Sequence, residues 1–237
     1  MLFRNRLLSR LAEADLAVLA PHMTEVPLSV DQTLVDAGSP VVTLYFPSSA
    51  VVADVLVRAD GQEIEIDTVG YEGVVGLVAM LTDTPQFTRS LVQIAGSAIA
   101  IDAGVVRDRA GESRPLLTLL KRAAMRVHVQ SQQGVACLAH HGLSARLSRG
   151  LLVTADRTGG PTFLMTQASM AVMTGTQRTS LHATAFDLKT RRLIQYARGQ
   201  VTLLDRSALE AEACGCYRTV HEIDGDLEGA PLRAFSV

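Results

Sequence analysis

The sequence predicts an α+β fold in three parts: short antiparallel strands, then one long helix, then two short helices followed by a β-hairpin. Three observations carry this. Between residues 24 and 103 the runs rich in Val, Ile, Thr and aromatics are short and separated by Gly, Pro, Asp and Ser. From Leu116 to about Gly142 no Pro interrupts an apolar stripe. After Pro161, two helical stretches flank Thr174-Gly175-Thr176, and a hairpin pattern comes behind them.

Leu7, Leu8, Leu11, Leu16 and Leu19 suit one short amphipathic helix over 6–20, with Pro21 as its stop. Strand runs follow at Thr43–Phe46, Val51–Val57, Glu63–Asp67, Ser90–Ile94 and Ala98–Ile101. Glu63-Ile-Glu-Ile-Asp67 alternates as a half-buried strand does, and Asp60-Gly61 before it signals a hairpin turn. Such strands suggest an antiparallel sandwich or a small barrel.

The stripe of the long helix comprises Leu116, Leu117, Leu119, Leu120, Ala123, Ala124, Val127, Val135 and Leu138. It fits packing against the chain's own domain or a coiled-coil-like dimer seam, and periodicity does not separate the two. Residues 143–156 are again helical, and Arg157–Pro161 is a loop. The paired helices are expected at 167–173 and 177–189. Ala168, Ala171 and Val172 face inward on the first, and Leu181, Ala185 and Leu188 on the second. Residues 193–196 and 200–204 form the hairpin around Ala197-Arg198-Gly199. Asp205 caps a last helix running through about Cys216.

Composition narrows the function classes. The chain has 237 residues, 48% apolar and 19% charged, enough for a packed core. No uncharged apolar run reaches the ~18 residues of a membrane helix, and the N-terminus lacks a signal peptide's apolar segment. With three cysteines, a reducing cytoplasm is the expected setting. The formal net charge of −2 reads at first as evidence against nucleic acid. Its distribution reverses that reading. Residues 1–142 carry a net of −4, residues 143–206 a net of +6, and residues 207–237 a net of −4. The basic stretch coincides with the paired helices and the hairpin.

Catalytic and metal patterns are missing from the linear sequence. His22, His128, His140, His141, His182 and His221 show no ligand spacing, and adjacent histidines on a helix diverge by about 100°. Cys214-Gly215-Cys216 has one intervening residue rather than two, and with Cys137 it makes three thiols, not four. These cysteines read as structural or incidental. There is no Gly-x-Ser-x-Gly and no phosphate loop ending in Gly-Lys-Ser/Thr, so an enzyme is not expected. The glycine-rich Val69–Leu77, with Gly73 and Gly76, could cradle an anion on backbone N–H groups, and Arg89-Ser90 could add a guanidinium and a hydroxyl. The same glycines could simply turn a tight corner.

The sharpest pattern is at 165–188. It leaves Gln177, Arg178, Thr179 and His182 on the outer face at the start of the second helix, where a recognition helix meets base edges. Arg pairs with guanine and Gln with adenine.

Taken together, these parts resemble the Crp/Fnr family of transcription regulators. Three stretches carry the resemblance: Met165–His182 continuing through Leu188, Arg191–Val201, and Leu203–Arg206 with Leu209-Glu210. The resemblance covers about residues 10–217. It implies a cyclic-nucleotide-binding-like β-roll (jelly-roll) sensor at 1–110, a dimerisation helix at 111–142, a winged helix-turn-helix at 143–220 and an acidic tail at 221–237. The implied partners are double-stranded DNA with a palindromic site, a second copy of the chain, and RNA polymerase, with no membrane. Thr166, Gln167, Lys189 and Arg198 are the expected phosphate contacts.

Two departures bear on the carry-over. Family members that bind cyclic AMP use a Gly-Glu pair for the ribose. Arg89-Ser90 match the phosphate-binding pair, but Gly76-Leu77 stands at the Gly-Glu position, so the ribose contact is missing. The resemblance therefore leaves three readings of the roll: a cyclic nucleotide held without that ribose contact, another small ligand, or none. The common Arg-Glu-three-residues-Arg pattern appears as Arg178-Thr179 with Ala183 last, so only Arg178 carries over. The alternative function is a small-molecule-binding signalling protein whose winged helix contacts other proteins.

Overall fold

A computed structural model describes residues 3–219 and 221. The expected acidic tail, apart from His221, lies outside the described residues. The chain divides into two compact units. One comprises residues up to Val57 with Asp67–His128; the other comprises Arg58–Ile66 with Val129 onward.

The first unit opens with α1 (Glu13–Leu19). The single helix expected over 6–20 is not formed. Asn5 Oδ1 accepts the N–H groups of Leu7 (3.0 Å) and Leu8 (3.2 Å), which stabilises a separate first turn, and Leu11 and Ala12 are extended before α1 begins. Pro21 lies within a further short turn rather than ending the helix.

Seven strands follow: β1 (Thr24–Leu28), β2 (Thr33–Val35), β3 (Thr43–Pro47), β4 (Val51–Val57), β5 (Glu63–Val69), β6 (Arg89–Ile94) and β7 (Gly96–Asp102). They form two antiparallel sheets, of order β1-β7-β3 and β2-β6-β4-β5, and these do not close into a barrel. Val52, Val69, Val75, Val92 and Ala98 form one core cluster. The alternation expected in β5 fails at its end: Ile66 is exposed and Asp67 buried. Asp67 Oδ1 instead accepts the N–H of Thr68 at 2.7 Å.

Two helices in this unit escape the sequence reading. α2 (Leu77–Thr82) begins directly after Gly76, and α3 (Ala103–Glu112) is capped by Asp102, which accepts the N–H of Val105 at 3.0 Å. Gly76 has φ +86°, and a Cβ there would lie 2.7 Å from Val41 Cγ1, so glycine is required on both counts. The long helix is α4 (Arg114–His140). Its Leu116, Leu120 and Ala123 are buried among Leu44, Phe46, Met80 and Val106.

The second unit holds α5 (Leu143–Thr158), β8 (Thr162–Leu164), α6 (Gln167–Thr174), α7 (Arg178–Thr190), β9 (Ile194–Ala197), β10 (Gln200–Leu203) and α8 (Arg206–Glu212). Leu147, Leu151, Met170, Leu181, Leu188, Ile194, Val201 and Leu209 are fully buried in it. The expected hairpin gains a third strand, in the order β8-β10-β9. Asp205 caps α8 as expected, accepting the N–H of Ala208 at 2.9 Å. The helix stops at Glu212, however, because Ala213 turns extended. Cys214 and Cys216 therefore follow the helix rather than lying on it.

Candidate nucleic-acid interface

The turn between α6 and α7 is built locally. Gly175 ends α6 in the left-handed region (φ +61°), its N–H reaching the carbonyls of Ala171 and Val172, and Gln177 is extended ahead of α7. Leu181, Ala185 and Leu188 point inward as their spacing predicts. On α6 the fully buried positions are Met170, Ala171 and Thr174; Ala168 and Val172 are only half-buried. Thr174 can go inside because its hydroxyl donates to the Met170 carbonyl at 2.8 Å.

Gln177, Arg178, Thr179 and His182 lie at the N-terminal end of α7, and all four are exposed. Gln167 Nε2 lies 3.2 Å from His182 Nδ1, which ties the start of α6 to the outer face of α7. Thr166 caps α6, its hydroxyl accepting the N–H of Ser169 at 3.0 Å, so the open N–H groups of that helix end sit beside an exposed hydroxyl. Lys189 is exposed at the end of α7, with Nζ 3.5 Å from the Tyr196 carbonyl of β9. Arg198 is exposed at the hairpin tip. Arg198 and Gly199 both have positive φ (+52° and +75°), the combination that a tight hairpin turn needs. Arg58, Gln62 and Ile64, from the tip of the β4–β5 hairpin, border a cavity with Gln177 and Arg178.

The glycine-rich turn of the first unit is differently disposed. Leu77 is buried, and Gly73 and Gly76 lie where the chain enters α2. Ser90 is fully buried, and its Oγ donates to Asp54 at 2.5 Å and receives Gln86 Nε2 at 3.3 Å. Burial pushes the Asp54 carboxyl up to about 6, although the Ser90 bond opposes the shift. Ser90 is thus committed to a neighbouring acid. Arg89 is half-buried on the same strand. Glu72 is buried too: its Oε1 accepts the N–H of Gly70 (3.0 Å) and Arg126 Nη2 (3.3 Å), the latter from α4.

A further constellation joins residues that the linear spacing had set aside. Cys137 and His141, at the end of α4, meet Cys214 and Cys216; one ligand atom from each lies within 4.8 Å of the others. The three thiols are free and buried. Cys137 Sγ and Cys214 Sγ are 3.5 Å apart, and the shared hydrogen bond lowers the Cys214 pKa while raising that of Cys137. Cys137 and His141 lie on one face because residues four apart in a helical turn do so. The pairing with 214 and 216 spans more than seventy residues, and no local signal announces it.

Comparison with known proteins adds to this geometry. Residues 145–212 match the Crp-like helix-turn-helix domain. No curated protein sequence matches significantly. Among solved structures, a CRP-family transcriptional regulator from Thermus thermophilus superposes with TM-score 0.67 at 24% identity, covering 79% of this chain and 96% of its own. FixK2 from Bradyrhizobium japonicum gives 0.71 at 15% identity, covering 81% and 98%. The c-di-GMP-responsive global regulator CLP from Xanthomonas campestris gives 0.67 at 13% identity, covering 81% and 99%.

Proposed function

We propose that this chain, a DNA-binding transcription regulator of the Crp/Fnr type by its fold and its helix-turn-helix domain, acts as a homodimer on a palindromic operator. The observation that carries the reading is the exposed start of α7, set on a buried inner face of Leu181, Ala185 and Leu188. A helix presented in this way enters the major groove with its first turn toward the bases. Arg178 reads a base, with Gln177, Thr179 and His182 beside it. Thr166, Gln167, Lys189 and Arg198 hold phosphates and set the register. The net charge of +6 over residues 143–206 favours the same partner.

The dimer forms through α4. Its inner face is occupied by the chain's own core, while Met125, Val129, Gln132 and Ala136 recur at spacings of four and three on the outer face. Met125 and nearby Val135 are exposed. That spacing suits a second copy of the same helix. Two recognition helices then meet half-sites about one helical turn apart.

The β-roll acts as the sensor, but its ligand is not held as cyclic AMP would be. Leu77 is buried where an acid is needed, Glu72 is paired with Arg126, and Ser90 faces a carboxylate. Effector and dimer geometry are coupled as a population shift. RNA polymerase is the partner that such a role implies, and we assign the chain no catalysis. Among the described residues no helix is long and apolar enough to cross a membrane.

Selection of binding sites from random duplexes tests the reading. A palindrome with half-sites about 10 base pairs apart, bound less tightly as salt rises, is expected. Failure to retain any duplex at low salt would transfer the winged helix to protein contacts.

A further inference from the structure

The geometry points to a metal site: Cys137, His141, Cys214 and Cys216 form a Cys₃His set for one thiophilic divalent cation, zinc foremost. Zinc takes thiolate at about 2.3 Å and imidazole at about 2.0–2.1 Å in a tetrahedron. The edges of that tetrahedron are then about 3.8 Å between sulfurs and about 3.5 Å between sulfur and nitrogen. Cys137 and Cys214 are 3.5 Å apart at sulfur, and Cys216 Sγ is 3.5 Å from His141 Nδ1. The largest ligand separation, within 4.8 Å, leaves room for a single ion but not for the core of an iron–sulfur cluster.

The surroundings fit such an ion. Three thiolates and a divalent cation carry a net charge of −1. The Arg149 guanidinium acts electrostatically on Cys137 and Cys214, and its Nη1 is buried with no hydrogen-bond partner among the described residues. A half-buried cation of this kind offsets the residual negative charge. Gln133 Nε2 donates to Cys216 Sγ at 2.9 Å, an outer contact of the sort that orients metal ligands.

The Cys-x-Cys segment is also held on both flanks. Before it, Glu212 accepts Arg191 Nη2 (2.6 Å) and Ser144 Oγ (2.5 Å). After it, Tyr217 donates to Asp156 at 2.8 Å and accepts Arg206 Nη2 at 2.6 Å. The ligands are thus placed before an ion arrives. On binding, the three thiols release their protons to solvent and His141 ligates in its neutral form. The bound ion would fasten the end of α4 to the segment beyond α8.

The experiment uses the full chain, purified under reducing conditions from zinc-supplemented cells without chelator. About one zinc per chain is expected by mass spectrometry of the metal content. Cobalt(II) added to the chelator-stripped protein should give the strong visible bands of a tetrahedral thiolate site. Cys214→Ser and His141→Ala should each lose the zinc and weaken the bands, with circular dichroism confirming that they fold. Because a ligand variant can misfold, the wild-type chain is also tested alone: zinc should protect its three thiols from alkylation, and chelator should expose them. Wild-type protein without zinc and without cobalt bands overturns the site. So does zinc retained by the folded variants, or a Cys137–Cys214 disulfide in metal-free protein, which would make the pair a redox couple instead.

Discussion

Ser90 and Asp54 lie opposite one another in the β4–β6 ladder, and the serine hydroxyl donates to the carboxylate at 2.5 Å inside the roll. This relationship commits the Ser90 hydroxyl to a carboxylate. A phosphate brought to Ser90 would meet an acid that already holds the hydroxyl.

The pair also predicts a pH dependence. Asp54 is raised by burial to about 6, from an ordinary value of 3.8. Below about pH 4 both folded and unfolded chains hold the proton, and burial carries no charge penalty. Between about 4 and 6 the unfolded chain releases it first, so stability falls as pH rises. Asp54→Asn should therefore stabilise the protein at pH 7 by up to about 3 kcal/mol and have little effect below pH 4. Urea unfolding across that range checks it; a difference independent of pH would refute the raised carboxyl.

Glu72 and Arg126 form a buried pair between the glycine-rich turn and α4, 3.3 Å apart. Removing one partner of such a pair leaves a charge inside. Glu72→Ala should cost about 3–5 kcal/mol, because the Arg126 guanidinium loses that carboxylate. Thermal and chemical unfolding report the loss. A change under about 1 kcal/mol would mean that water reaches Arg126.

Arg178, Lys189 and Arg198 are exposed, and the proposed reading gives Arg178 a base and the other two phosphates. Arg178→Ala should weaken operator binding by about 1–3 kcal/mol and leave binding to random duplex nearly intact. Lys189→Ala or Arg198→Ala should weaken both and reduce the salt slope by about 1. Titrations of both duplexes at several salt concentrations separate the outcomes. Equal losses for Arg178→Ala on the two duplexes would move it to the phosphate class.

Much of the second unit was legible because its signals are local. Thr174-Gly175-Thr176 marks the turn, Leu181, Ala185 and Leu188 mark the inner face, and Asp205 marks a cap. Observed bounds of α6 and α7 differ from the expected ones by a single residue. β8 was not legible, since three residues after Gly159-Gly160-Pro161 carry no period of their own. α3 was hidden by Gly104, Asp108 and Gly111, which blur its apolar stripe. Over 6–20 the leucine spacing suggested one helix, yet the Asn5 side chain competes for the first N–H groups and divides it.

The sequence by itself determined the order of the parts, the inner and outer faces of α7 and the basic stretch that accompanies them. Those depend on caps, glycine turns and periodicity, which act within a few residues. Tertiary structure alone decided three further things: that Ser90 faces Asp54, that Glu72 is taken by Arg126, and that Cys137, His141, Cys214 and Cys216 share one small volume. Each joins residues dozens of positions apart. Packing of the whole core fixes such distances, and no spacing along the chain encodes them.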